Sequence, residues 1–486
     1  MSEQILSFEQ QYAFNKFCKG ENLLISGSGG TGKSFLIKNL VQHLVQQKKY
    51  FQVTGLTGCC CVLLSNNIQI NGKNLSVKTI SSFSGIRLCK GDNDKIIENV
   101  VKNKFSIKTW KSLKVLIIDE VSMMSSKVFT VLEKIARITR NNNKPFGGIQ
   151  IILLGDFLQL PPVPDYSDKE TSKFAFEAEE WYNVIPLENH IELKTIFRQK
   201  DPIFREILNE IRIGELSQKN KEILQKHVGR KYIPEDHNGI IPIQILPTRN
   251  QVSNINKIQY DELKTEEFKY ISKTVTTCKM YIENQKPFSI EDTIKCQSLS
   301  VQALQYEIKN FESSLPIEET LLLKVGVPVM IIVNLDIDNN VCNGTLGIIS
   351  SIVPKKDVFG EYSIPTVRFS NGIERVIERH TWQNGEYPNI TISQLPLILS
   401  YASSVHKQQG ATMELARMSL GYSVFEDSQT YVALSRVTSL DGLYLDSFHA
   451  QKITVNKKAK EFYSTFPAIL ENTNTNKSFE SFAFNG

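Results

Sequence analysis

The chain is predicted to be an α/β protein. A parallel, doubly wound sheet is expected in its first part, then a second αβ region with a β-rich segment inserted into it. Three observations predict this. An apolar strand, a glycine-rich turn and a helix follow one another over residues 22–40. Two further apolar runs, at 115–118 and 149–154, each end in polar loops and are separated by helical spacing. Residues 326–393 switch to β-branched alternation broken by glycines, as a small β-barrel would require. At 486 residues the chain exceeds what one hydrophobic core organises, so about two to four domains are expected.

Taken in order, residues 5–19 read as a helix with apolar Ile5, Leu6, Phe8, Tyr12, Phe14 and Phe17. Ser7 and Gln10 have the spacing of a capping box. The Gln10 amide also suits adenine, pairing with the N6 donor and the N7 acceptor; the two roles are compatible. Then comes Gly27-Ser28-Gly29-Gly30-Thr31-Gly32-Lys33-Ser34 between strand and helix. In that context G-x-x-x-x-G-K-[ST] is a phosphate cradle: backbone N–H groups turn toward an anion and the helix N-terminus adds partial positive charge. Lys33 is expected to reach the β- and γ-phosphates and Ser34 to help hold Mg²⁺.

A strand at 51–54 leads through Gly55-Leu56-Thr57-Gly58 into a helix beginning near Cys59. Residues 66–78 alternate around Asn71-Gly72, a hairpin signal that suits a plain surface turn or a wedge meeting a duplex. The strand at 115–118 ends in Asp119-Glu120, where a cradle-bearing sheet carries a Mg²⁺-holding carboxylate and a water-activating one. The strand at 149–154 ends in Gly155-Asp156-Phe157-Leu158-Gln159-Leu160-Pro161-Pro162; an amide at Gln159 can sense a γ-phosphate or orient the attacking water. An amphipathic helix is expected at 201–213. The second αβ region is expected to start near 243–246, resume at 397–405 and close at 431–436. The polar residues 471–486 read as a disordered tail, with Phe479, Phe482 and Phe484 as a partner motif.

Composition narrows the class. No apolar run approaches the roughly 18 residues that span a bilayer, and the N-terminus lacks the pattern of a secretory or transit peptide. A cytoplasmic or nuclear protein with no membrane partner is therefore expected. The net charge of +5 is compatible with nucleic acid. The eight cysteines form no C-x-x-C pair, so reduced thiols are expected rather than metal ligands or disulfides.

Together these stretches resemble superfamily 1 helicases, and most closely the Pif1-like family. Leu6-Ser7-Phe8-Glu9-Gln10 is similar to the adenine-reading Q motif, the cradle to motif I, Asp119-Glu120 to motif II, and Gly155 to Pro162 to motif III. Thr79-Ile80-Ser81-Ser82-Phe83-Ser84-Gly85-Ile86 resembles motif Ib, Phe197-Arg198-Gln199 motif IV, and Leu246-Pro247-Thr248-Arg249-Asn250 motif IVa. Val405-His406-Lys407-Gln408-Gln409-Gly410-Ala411-Thr412 resembles motif V and Tyr431 to Arg436 motif VI. Pro145-Phe146-Gly147-Gly148-Ile149-Gln150 is similar to the family signature between motifs II and III.

The resemblance implies two RecA-like P-loop domains with ATP and Mg²⁺ between them. The first is expected at 1–190, the second at 191–344 and 394–465, an SH3-like 2B domain at 345–393, and a disordered tail at 466–486. It implies catalytic roles for Lys33, Glu120, Gln159, Arg198 and Arg436, the two arginines completing the site from across the cleft. Gln10, Gly27 to Ser34 and Gly410 would bind nucleotide, and Ser34 with Asp119 the metal. Thr57, Ser82, Phe83, Thr248, Asn250, His406, Lys407 and Thr412 would contact DNA. The implied activity is ATP-dependent 5′–3′ unwinding by a monomer acting on single-stranded and tailed duplex DNA, in replication, repair or recombination, with protein partners reached through the tail. An ATP-gated single-strand binding protein and an RNA-directed helicase are the competing readings. Ser81, where the family usually has His, and Gln408, where it usually has Ser, both fall on the DNA side.

Overall fold

The computed structural model describes residues 5–469, apart from 71–72, 88, 166, 238, 247, 277–293, 295, 316, 334, 337–340, 342, 358–359, 370–371, 385–386 and 406–410. The first domain is built on six parallel strands. Their spatial order is Val77–Thr79, Phe51–Gly55, Val115–Asp119, Gln150–Gly155, Leu23–Gly27, His190–Leu193. Side-chain alternation explains why these strands are apolar throughout. Leu23, Ile25, Ile117, Ile152 and Leu154 face one layer, under helices Phe8–Cys18 and Lys33–Gln46. Leu24, Leu116, Ile118, Ile151 and Leu153 face the other, under Ser126–Arg140. A parallel sheet covered on both faces needs both residue sets apolar.

The second domain has a four-stranded parallel sheet in the order Ala402–Ser404, Ile243–Leu246, Ala416–Leu420, Leu443–Phe448. The helix Pro202–Arg212, one residue shorter at each end than expected, lays Phe204, Ile207, Leu208 and Ile211 into its core. Three antiparallel sheets form the inserted unit. The largest runs Glu374–Val376, Gly360–Phe369, Leu346–Asp357, Pro328–Ile331, Leu397–Leu399.

Strand pairing corrects three expectations, and core packing two more. The β-rich unit extends beyond 345–393, because Pro328–Ile331 and Leu397–Leu399 pair within its sheet and Lys273–Thr276 pairs with Ile390–Gln394. Leu397–Leu399 therefore does not resume the parallel sheet; Ala402–Ser404 does. The 66–78 hairpin is shorter than expected. Gln69–Ile70 pairs with Lys73–Asn74, Asn66 and Asn67 end a helix, and Val77–Thr79 is an edge strand of the main sheet. Finally, the helix Lys457–Ser464 follows the last strand of the second domain but packs on the first, with Ala459 and Phe462 in its core. Phe466 and Ile469 also pack on the first domain, so the expected tail at 466–486 begins too early. Residues 470–486, with the three-phenylalanine motif, lie outside the described residues. Among the described residues no helix is long and apolar enough to cross a membrane.

Candidate active site and nucleic-acid interface

The cradle leaves strand Leu23–Gly27 and enters helix Lys33–Gln46 through two left-handed glycines, Gly30 (φ 91°) and Gly32 (φ 78°). A Cβ on Gly30 would lie 2.6 Å from Cβ of Arg198, so this position takes no side chain. Thr31 closes the turn, donating from Oγ1 to Ser28 O at 2.9 Å. Lys33 Nζ folds over the loop and donates to Gly27 O (2.6 Å) and Ser28 O (3.1 Å). Ser34, one residue on, is exposed.

Gln10 realises the expected capping box: Ser7 N donates to its Oε1 at 3.0 Å and its own N–H donates to Ser7 Oγ at 3.3 Å. It also braces the cradle, donating from Nε2 to Thr31 O (3.1 Å) and Gly32 O (3.4 Å). Phe197, half-exposed, lies beside Gly32 near Gln10 and donates its N–H to Gly30 O at 2.8 Å. Within Phe197-Arg198-Gln199 sequence reasoning singles out Arg198 and passes over Phe197, whose exposed ring beside the cradle is visible only in the fold.

Asp119 and Glu120 terminate the central strand at the cradle. Burial first, then the Glu120 carboxylate, pushes the Asp119 carboxyl above the usual carboxylate range, while Lys33 opposes the shift. Asp119 accepts from Glu120 N at 2.9 Å and from Cys60 Sγ at 3.8 Å. Glu120 itself has a left-handed backbone (φ 58°, ψ 40°), a conformation that costs of order 1 kcal/mol for a non-glycine residue. Gln159 is buried, its Nε2 3.4 Å from Asp156 Oδ2.

The second domain closes the site. Tyr431 OH accepts from Gly29 N at 2.9 Å. Arg436 is buried, held by Nε to Val432 O (2.9 Å) and Nη2 to Ser435 Oγ (2.7 Å), with Nη2 against Gly29. Arg198 donates from Nη1 to Ser435 O at 3.0 Å, and Gln199 Nε2 binds Ser435 O and Val437 O. Both expected arginines thus meet at the cradle. Burial lowers the proton affinity of Lys33, Arg198 and Arg436 alike, and Arg436 beside it lowers that of Arg198 further. One buried cation, Arg436, and two partly buried ones, Lys33 and Arg198, around four glycines suit a polyanion, which would relieve that cost.

The proposed DNA contacts cluster differently. Thr57, Ser82 and Thr248 all follow parallel strands at their C-terminal ends. Thr57 and Thr248 cap helices Gly58–Asn67 and Arg249–Glu262, and Ser82 lies in the first turn of Ile80–Ser84. Ser82, Thr248, Asn250 and Thr412 are exposed. Helix N-termini suit backbone phosphates, although the Thr57 and Thr248 hydroxyls are already engaged as caps, accepting from Cys60 N and Gln251 N. Phe83 does not fit. It is only 6% exposed and packs on Trp110 at 5.5 Å, so its ring offers no open face to a base. His406, Lys407, Gln408 and Gly410 lie outside the described residues.

Sequence reasoning also missed Tyr431, Arg212 and Tyr463. Arg212 forks onto Asp156 (Nε–Oδ2 and Nη2–Oδ1, both 3.0 Å) and reaches Glu192 at 2.9 Å. The buried aspartate after Gly155 was the available signal, since a buried carboxylate requires a cation.

Comparison with known proteins agrees with this geometry. A family model described as PIF1-like helicase matches residues 3–222, and one described as DNA helicase Pif1, 2B domain matches 310–352. The crystal structure of Pif1 helicase from Candida albicans superposes with a TM-score of 0.70 at 30% identity, covering 96% of this chain and 100% of that one. The chain belongs to the Pif1-like helicase family. A second Pif1-like structure, the Bacteroides Pif1 helicase in complex with ADP-AlF3 and ssDNA, matches at 25% identity and a TM-score of 0.59, over 95% of this chain and 97% of that one. The ATP-dependent DNA helicase PIF1 of Danio rerio is 32% identical over 95% of this chain; the chain spans 64% of that Pif1-like protein's length.

Proposed function

We propose that this protein is an ATP-dependent DNA helicase that moves 5′ to 3′ on single-stranded DNA and unwinds duplex. The observation that carries the reading is the seating of Arg436 and Tyr431, from the second domain, directly on Gly29 of the first domain's cradle. Groups from two domains converge where the γ-phosphate of ATP is expected. Hydrolysis then changes the contacts across the cleft, and cleft opening and closing become the step along DNA.

In this reading Lys33 binds the phosphates, and Arg198 and Arg436 stabilise the charge that spreads over the γ-oxygens in the transition state. Glu120 takes a proton from the attacking water and Gln159 orients it. Phe197 offers its exposed ring to the adenine face, and Gln10, whose amide is bonded to Ser7 N and to the Thr31 and Gly32 carbonyls, reads the adenine edge only by exchanging those bonds. Mg²⁺ would be held by Ser34 and Asp119, a hydroxyl and a carboxylate of the kind that cation takes, and would neutralise β- and γ-oxygens. The raised proton affinity of Asp119 supports this fit, since a cation there offsets its burial beside Glu120. Thr57, Ser82, Thr248, Asn250 and Thr412 contact phosphates of a strand lying across both sheets, so binding is sequence-tolerant. The ssDNA named in the Bacteroides complex supports DNA as the substrate.

The test is strand separation on matched duplexes with a 5′ or a 3′ single-stranded tail, in the presence of ATP and Mg²⁺. Unwinding of the 5′-tailed duplex alone is expected, lost in Glu120→Gln. Unwinding from the 3′ tail overturns the polarity. ATPase without unwinding of either duplex makes the protein an ATP-gated single-strand binder instead.

A further inference from the structure

Helix Lys457–Ser464 returns from the second domain to the first and buries Phe462 against Phe157, Phe176 and Trp181. The next residue, Tyr463, points its hydroxyl behind the cradle. That hydroxyl donates to Asp156 Oδ1 at 2.8 Å, accepts from Phe157 N at 3.0 Å and bonds Ser26 Oγ. Ser26 belongs to the strand that feeds the cradle, and Asp156 and Phe157 open the loop that carries Gln159. One phenol therefore ties the cradle strand to the water-orienting loop.

Asp156 is the centre of this node. It takes both arms of Arg212 and lies 3.4 Å from Gln159 Nε2. Arg212 ends a helix whose apolar face belongs to the second-domain core, and its guanidinium lies 5.0 Å from the Tyr463 ring. The helix of Arg212, from the second domain, and the helix of Tyr463, seated on the first, thus grip the same carboxylate.

We propose that Tyr463 is a positioning residue for ATP hydrolysis, acting through Asp156 on Gln159. The inference rests on the ATPase reading above. Its physical basis is that the cradle and Gln159 must keep a fixed spacing. A misplacement of about 1 Å costs on the order of 100-fold in rate. The sheet already pairs Ser26 with Gly155; what the Tyr463 oxygen adds is a hold on the Asp156 carboxylate that meets Gln159. Tyr463→Phe removes the oxygen and keeps the ring, which stacks on Phe466 at 4.9 Å and lies against Arg212.

The test compares wild type, Tyr463→Phe, Gln159→Ala and the double variant, all in the full chain. Measured are kcat and KM for DNA-stimulated ATP hydrolysis, affinity for a fluorescent non-hydrolysable ATP analogue, and Tm. Tyr463→Phe is expected to lose about 10-fold or more in kcat, with KM and analogue affinity within about twofold. The double variant is expected to be no slower than Gln159→Ala, because both changes remove one function. A lowered Tm with unchanged kcat, a parallel loss of analogue affinity, or multiplied losses in the double variant each overturn the proposal. Wild type without ATPase, or equal to Lys33→Ala, would instead overturn the parent reading.

Discussion

His190 lies away from the cradle, yet one proton on it bears on how the first domain tolerates acid. Its ring is fully buried, and Trp181 Nε1 donates to its Nε2 at 3.3 Å, so the acceptor nitrogen is already used. Burial pulls its pKa down to about 4, against about 6.5 when unfolded. The unfolded chain binds a proton that the folded chain refuses. Stability is therefore full above about pH 6.5 and falls as pH drops toward 4, by about 2 kcal/mol at pH 5. His380, also pulled to about 4 by burial, adds the same sign. Asp119, pushed up to about 7 by burial and by Glu120, acts with the opposite sign over the same range, so the His190 part is read as a difference: between pH 7 and pH 5, His190→Gln should lose about 2 kcal/mol less unfolding free energy than the parent chain. The same scale shows what was readable. Lys33, Ser34 and Asp119 were legible because a glycine cradle and a strand-end acid are local patterns. Tyr431 and Tyr463 were not, because each acts through one oxygen set against a residue more than 300 positions away.

Among elements, the closing helix Lys457–Ser464 is the most informative. Eight residues, Lys-Lys-Ala-Lys-Glu-Phe-Tyr-Ser, carry only a narrow apolar stripe, and nothing local says which domain receives it. Its seat is the aromatic cluster around Phe157, where Phe462 stacks on Phe176 at 4.1 Å. Truncating a buried aromatic of this kind costs about 3–5 kcal/mol. Phe462→Ala should lower the unfolding free energy of the first domain, read from its urea midpoint and slope, by that much, and a variant that unfolds like wild type would show that the helix is not part of the domain's core. Four strands of the first sheet and Ile243–Leu246 of the second were legible from apolar runs of the right length; Val77–Thr79, His190–Leu193, Ala416–Leu420 and Leu443–Phe448 were not, being short, edge-lying or interrupted by polar residues. The extent of the antiparallel unit was not, because partner choice is a non-local property. Leu397–Leu399 looks the same in sequence whether it pairs in a parallel or an antiparallel sheet, and only its register with Val329–Ile331 decides.

At the scale of the whole molecule, a single chain contributes both faces of the nucleotide cleft. Sedimentation with activity assays across a dilution series should therefore find one chain per active unit; activity confined to a hexamer would contradict the geometry. The two-domain plan was legible from the order of motifs. The path of the chain between the domains was not, and it has a mechanical meaning. The chain leaves the first domain after Leu193 and comes back before Lys457, and the return is pinned to the end of the second-domain helix Pro202–Arg212: Val455 fills the space beside Gly214, and Lys460 Nζ donates to Ile213 O at 3.0 Å. A helix end fastened in this way acts as the pin of a door hinge does. The second domain can swing about that corner but has little freedom to slide away from it, so successive strokes of the cleft should retrace one arc.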